Sequence, residues 1–110
     1  MKNFRSRITT PDKALESVAS GMRVYIHNGC AEPEELVRAL TRRGPQLCHV
    51  EVIHMATFGN ADYTLPEYEG HFRHTGFFIG QNVRCAVQEG RADYVPIFLS
   101  EIEELFRSVW

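Results

Sequence analysis

The chain has 110 residues, 44% of them hydrophobic, 24% charged and 11% aromatic, with a formal net charge of −2. These are the proportions of a folded chain and argue against disorder, and the near-neutral balance lacks the basic footprint of a nucleic-acid binder. No apolar run approaches the ~20 residues of a membrane helix, and the basic tract 1–7 (MKNFRSR) has no apolar stretch behind it, so neither a membrane span nor a secretory leader is expected. Three cysteines do not make a disulfide framework, which makes the cytoplasm the expected compartment. The length suits one hydrophobic core and is too short for two.

The first element is a helix. Thr9 and Thr10 supply a hydroxyl cap, Pro11 fits the first helical position and Asp12 the first turn. Ala14, Leu15, Val18 and Ala19 continue it, with Gly21 as the stop. Met22, Val24 and Ile26 then alternate as one face of a strand, which Asn28 and Gly29 break. A second helix opens at Glu32, Pro33, Glu34 and Glu35, with Leu36, Val37 and Leu40 as its expected buried stripe. Arg42 and Arg43 favour its C-terminal dipole, and Gly44 and Pro45 end it. Residues 48–55 (CHVEVIHM) read as a second strand, so 22–55 has the makings of one βαβ unit of about 30 residues with parallel strands.

Residues 56–70 lose all periodicity and form a long irregular connection, of a kind usually tied to function or an interface. An extended segment over 72–78 follows. Asn82 is expected to cap a short helix running to Glu89, with Val83, Ala86 and Val87 inward and Gly90 as the stop. Residues 93–98 (DYVPIF) read as a strand that Pro96 assigns to a sheet edge. Ser100 to Glu103 fits a capping box opening a last helix. The alternation predicts an α/β fold with a mostly parallel sheet and flanking helices.

Ligands of open α/β sheets bind at the carboxyl ends of strands, so the turn after the first strand is the best-placed site: Asn28, Gly29, Cys30 and Ala31. It makes a poor phosphate cradle, having one glycine and three nearby acids (Glu32, Glu34, Glu35). A tight turn with no ligand remains the alternative. Cys30, close to the helix start and three residues from His27, suggests a thiol nucleophile, which the same acids oppose. His49 and His54 bracket the second strand at an odd spacing that points them to opposite faces. His71 and His74 converge only on a helix, so the histidines read as structural. Glu67, Glu69 and Glu89 show no convergent spacing, and Arg73, Arg84 and Arg91 read as solvated surface.

Several tracts together carry a family resemblance: 50–55 (VEVIHM), 59–63 (GNADY), 66–74 (PEYEGHFRH), 77–80 (FFIG), 82–84 (NVR) and 89–102 (EGRADYVPIFLSEI). They resemble the N-terminal domain of the acetyl-CoA hydrolase/transferase family, in particular its 4-hydroxybutyrate and butyrate:acetate CoA-transferases, over about residues 20–106. The resemblance implies a CoA-transferase-like, Rossmann-like fold and a two-domain parent that moves coenzyme A between short-chain carboxylic acids. In such a parent a glutamate attacks the acyl-CoA carbonyl, forming an acyl-glutamyl anhydride and then a glutamyl-CoA thioester. Glycine-rich backbone amides hold the coenzyme A and the oxyanion. That glutamate and most coenzyme A contacts belong to the C-terminal half, and none of Glu16, Glu32, Glu67, Glu89 or Glu101 lies in a matching motif.

The resemblance therefore implies that residues 1–110 form a single incomplete N-terminal domain, inactive alone. Its contribution would be one wall of the acyl and carboxylate pocket at Asn28, Gly29, Cys30 and Ala31. No bound cofactor is expected, coenzyme A thioester being a substrate of the complete enzyme. The expected partners are a C-terminal half or a longer CoA-transferase chain, with self-association through an uncovered sheet edge and apolar face. A non-catalytic interaction module pairing with a longer relative is the second reading, and a thiol enzyme using Cys30 the third.

Overall fold

The computed structural model describes residues 4–108; residues 1–3 of the basic N-terminal tract, with Val109 and Trp110, lie outside them. Four strands form one sheet: β1 (Arg23–Ile26), β2 (Val50–His54), β3 (Phe72–Gly76) and β4 (Ala92–Tyr94). They are mutually parallel and lie side by side in chain order. The α/β fold expected from the alternation is therefore present, with α1 (Pro11–Ala14), α2 (Glu34–Arg42), α3 (Gln81–Gln88) and α4 (Ile102–Ser108).

The core lies on the first face of the sheet. Ile26, Val50, Val52 and Phe72 pack there with Val37 and Leu40 of α2 and Val83 of α3 in one cluster. Strand alternation puts Arg23, Tyr25, Glu51, Ile53, Arg73, Thr75 and Asp93 on the second face. The predicted bare apolar face is not what this second face presents. Arg23 pairs with Glu51 at 3.0 Å, Thr75 Oγ1 donates to Glu51 at 2.9 Å, and Arg73 forks onto both oxygens of Asp93 at 2.5 and 2.6 Å. Only the end nearest the strand C-termini is apolar. There Phe106 of α4 meets Tyr25 edge-on, ring centroids 5.7 Å apart, and Phe77 at 6.3 Å.

Several expected boundaries move, each for a local reason. Thr10 caps α1 through Lys13 N–H as predicted, but the helix is short: it tightens into a 3₁₀ turn over Leu15–Ser17, and Val18 is extended. The Arg43 guanidinium donates to the Val18 carbonyl and to that of Leu15, which also accepts Val18 N–H at the end of the turn. In α2 the buried residues are Val37, Ala39, Leu40 and Thr41, whereas Leu36, about 100° round the helix from Val37, is exposed. The second strand starts at Val50, since His49 adopts φ 55° and bonds its N–H to Gly70 O. His49 is thus not on the strand at all. The last strand stops at Tyr94, ahead of Pro96. Gly80, not Asn82, is the cap of α3, and a 3₁₀ turn over Leu99–Glu101 precedes α4, so Ser100 is not its cap. Instead Glu101 reaches back to Phe98 N–H at 3.4 Å.

The long connection 56–71 is irregular, as its sequence implies, but pinned. Tyr63 is buried and meets His74 Nδ1 at 3.1 Å through its hydroxyl, and Arg91, expected on the surface, reaches in to Thr64 O and also pairs with Glu89. His54 and His74, both inward on the first face, are buried side by side with ring centroids 5.6 Å apart. Both ring nitrogens of His54 and Nε2 of His74 lack a hydrogen-bond partner among the described residues.

Burial holds His74 below the ordinary 6.5, at about 4, with the neighbouring His54 adding to the effect; burial lowers His54 as well, against the pull of Glu32. The unfolded chain therefore binds more protons than the native one between pH 6.5 and about 4. Stability is complete above pH 6.5 and falls as the solution is acidified through that window, by about 2 kcal/mol from His74 alone on going to pH 5. Urea unfolding at pH 7 and pH 5 measures this. A His74→Gln variant is expected to lose markedly less stability over the interval, and an unchanged pH dependence contradicts the assignment.

Candidate functional site at the carboxyl rim of the sheet

All four strands point their C-terminal ends the same way, so the segments that follow them gather along one rim. After β1 come Asn28, Gly29, Cys30 and Ala31. Gly29 has φ 61°, and the turn continues as a short 3₁₀ helix over Gly29–Ala31. After β2 come residues 56–60, and after β3 come 77–80.

Glu32 joins the first two of these segments. Its carboxylate accepts from Thr57 Oγ1 at 3.0 and 3.1 Å, and from the backbone N–H groups of Phe58 at 3.4 Å and Gly59 at 3.3 Å. Asn82 of α3 brings in the third, its amide donating to Gly59 O at 3.0 Å and to Thr57 Oγ1 at 3.4 Å. Gly59 N–H and Gly29 N–H are both used within this knot, the latter on Ala56 O at 3.3 Å. A side chain at Gly59 would crowd Glu32, and one at Gly80 would meet Thr57 O at 2.9 Å, so glycine permits the three loops to close together.

The four residues singled out from sequence are neighbours on this rim. Asn28 is half-buried and its amide points at Met55 Sδ, 3.7 Å away. Sulfur is a weak acceptor, so this donor is readily surrendered to a carboxylate. Cys30 and Ala31 are exposed. The thiol argument loses its electrostatic basis: α2 begins at Glu34, so Cys30 sits in a separate turn and not at the end of a helix. His27 is exposed, with Nδ1 3.3 Å from its neighbour's carbonyl Asn28 O. Further along the rim, Phe77, Phe78, Tyr94, Pro96, Phe98 and Leu99 line an apolar groove of about 740 Å³. Among the described residues no cluster of three or more His, Cys, Asp or Glu could hold a metal ion, and no helix is long and apolar enough to cross a membrane.

Reading along the chain missed the role of Glu32, counted there only as an acid hostile to anions, of Asn82, taken there as a helix cap, and of Thr57, which nothing local singled out. His54 was findable: it continues the Val50, Val52 alternation and so faces the core.

The family model of the acetyl-CoA hydrolase/transferase N-terminal domain matches residues 1–109. The chain belongs to this family. It is 35% identical over 104 residues to 4-hydroxybutyrate coenzyme A transferase of Clostridium kluyveri, covering 94% of this chain and 24% of that protein. It is 44% identical over 98 residues to succinyl-CoA:acetate/propanoyl-CoA:succinate CoA transferase of Fasciola hepatica, covering 87% and 20%. The chain thus spans a quarter or less of these relatives. RipA from Yersinia pestis superposes with a TM-score of 0.78 at 24% identity over 88% of this chain and 25% of that one, which bears on the fold. A variant of RipA gives 0.82 at 23% identity, over 93% and 26%.

Two substitutions probe the rim. Glu32→Ala removes the acceptor of Thr57, Phe58 and Gly59 and is expected to destabilise by about 2 kcal/mol, with faster amide exchange confined first to residues 57–59. Gly29→Ala meets no atom within 4 Å, so its cost is the left-handed backbone alone, about 1 kcal/mol. Chemical denaturation with exchange mass spectrometry reads both, and protection unchanged at 57–59 in the first variant contradicts the knot.

Proposed function

We propose that this chain provides one wall of the acyl and carboxylate pocket of a CoA-transferase or acyl-CoA hydrolase acting on short-chain carboxylic acids, and that it has no turnover alone. The observation that carries the reading is the match of residues 1–109 to a family N-terminal domain whose relatives are named for coenzyme A transfer and are several times longer. Within that reading the substrate is a coenzyme A thioester with a carboxylate acceptor. Asn28 presents its amide at the carboxyl rim, and the Glu32 knot holds the turn of Gly29, Cys30 and Ala31 in place for it. Transfer needs a carboxylate nucleophile, and Glu32 is committed to three donors, the Thr57 hydroxyl and the N–H groups of Phe58 and Gly59. On this reading the nucleophile comes from other polypeptide, a C-terminal half or a longer chain of the family.

A second reading, a non-catalytic module that pairs with a longer CoA-transferase, draws support from the exposure of Phe78, Tyr94, Phe98 and Leu99 around the apolar groove. The two differ in what the paired state does.

Purified chain is expected to give no acetyl-CoA turnover with acetate, butyrate or 4-hydroxybutyrate. Co-expressed with the remainder of the Clostridium kluyveri relative, it is expected to restore transfer, and Asn28→Asp in that pair to lower kcat/KM about tenfold by setting a negative charge against the carboxylate. Turnover by the chain alone, or a pair indifferent to Asn28→Asp, would count against the pocket. Pairing without turnover selects the non-catalytic module.

A further inference from the structure

We infer that Met55 is a site of reversible sulfoxidation, and that its sulfoxide switches the rim off by capturing the amide of Asn28. This rests on the reading that Asn28 meets the substrate carboxylate, and it adds a means of regulating that contact.

The argument starts from the acceptor that Asn28 uses. Asn28 heads the 3₁₀ turn over Gly29–Ala31 yet makes no capping bond with its side chain. Its amide goes instead to Met55 Sδ, 3.7 Å away. Both backbones are held. Met55 O accepts from Phe78 N–H at 2.8 Å, and the next carbonyl, Ala56 O, accepts from Gly29 N–H at 3.3 Å. Asn28 O accepts from Ala31 N–H at 3.3 Å. Sulfur and amide are thus kept facing each other, with only side-chain torsions left to adjust. A thioether holds an amide weakly and gives it up to a charged ligand.

One added oxygen reverses that. With hydrogen peroxide as oxidant, a sulfur lone pair attacks one peroxide oxygen and the O–O bond breaks. The departing oxygen takes up the proton of the transferred hydroxyl and leaves as water. Sulfur is oxidised by two electrons to the sulfoxide, and the peroxide is reduced by two. The sulfoxide oxygen is a strong acceptor. A gap of 3.7 Å seats it beside the sulfur–nitrogen line at ordinary hydrogen-bond distance from the amide. Asn28 is then satisfied within the chain, and the new dipole turns its negative end towards the carboxylate position. Reduction by two thiols through a methionine sulfoxide reductase returns the thioether and releases a disulfide and water. Met55 is half-buried at the rim, within reach of a small peroxide. Met22, 46% exposed, stands at the other end of the sheet ahead of β1 and serves as an internal standard.

The test treats two samples with hydrogen peroxide: the chain alone, and the chain co-expressed with the remainder of the Clostridium kluyveri relative. Peptide mass spectrometry is expected to find Met55 oxidised within about tenfold of the rate at Met22. In the chain alone, the side-chain amide protons of Asn28 are expected to move downfield in the NMR spectrum as Met55 converts. In the pair, kcat/KM is expected to fall about tenfold through the KM of the carboxylate. It recovers with reductase and dithiothreitol, and not with dithiothreitol alone, which reverses thiol oxidation at Cys30, Cys48 and Cys85. Met55→Leu loses the response to peroxide, measured against its own untreated rate. Met55→Gln, carrying an oxygen acceptor, shows the Asn28 shift without peroxide. Met55 left reduced when Met22 is fully oxidised, an Asn28 resonance unmoved by Met55 oxidation, or an equal loss of transfer in Met55→Leu would each overturn the inference. If Asn28 shifts and transfer is unchanged, Asn28→Asp decides. A pair impaired by that variant overturns the switch, and a pair indifferent to it removes the pocket reading while the sulfoxide–amide contact stands.

Discussion

Strand β2 keeps Val50, Val52, Ile53 and His54 out of water, and only Glu51 is partly exposed. A strand buried on both sides needs neighbours on both edges and layers on both faces. The neighbours are β1 and β3, held in register residue by residue. The first face is filled by α2, α3 and the pinned connection 56–71. On the second face the demand is met only near the carboxyl ends, through α4. The two unlike faces, one mostly apolar with His54 and His74 buried in it and the other divided between ion pairs and aromatic rings, follow from that uneven coverage.

The rim inherits its shape from the same packing. Because three loops leave neighbouring parallel strands in the same direction, a single carboxylate can bind two of them, and Glu32 does so with Asn82 completing the closure. Acidic residues clustered at a helix start read as hostility to anionic ligands. Three-dimensional closure changes their meaning: Glu32 is turned onto backbone N–H donors, its charge spent internally, while Glu34 and Glu35 pair with Arg38 at 3.2 and 2.5 Å. The turn carrying Asn28 is thus less repulsive than its composition suggests.

The βαβ unit over 22–55 was legible because its signals are local: Gly21, Asn28 and Gly29, then Gly44 and Pro45, each mark a break next to a periodic run. So was the placing of Asn28, Gly29, Cys30 and Ala31 on the carboxyl rim, which follows from strand polarity alone. The family was legible too, though through many weak tracts and no single motif. What local reading could not supply depends on contacts between distant segments. Arg43 donates to the carbonyls of Leu15 and Val18 where the first helix ends, and Arg91 leaves the surface to hold Thr64. His54 and His74 read as structural in the chain, but only the fold buries both against Tyr63, His54 stacked on its ring and His74 tilted to it.

The ion-pair ladder on the second face has a consequence for any layer laid over it. Arg23, Glu51 and Arg73 lie level where the strands begin, Asp93 stands one rung on, level with Tyr25, and the ring of Tyr25 meets Phe106 towards the strand ends. Sliding or inverting a covering layer by half a strand would set greasy groups on fixed charges, each misplacement stripping an ion of water without replacing it. The second face therefore works as a compass for any layer that covers it. It remains wettable while bare, and it accepts a cover in one orientation.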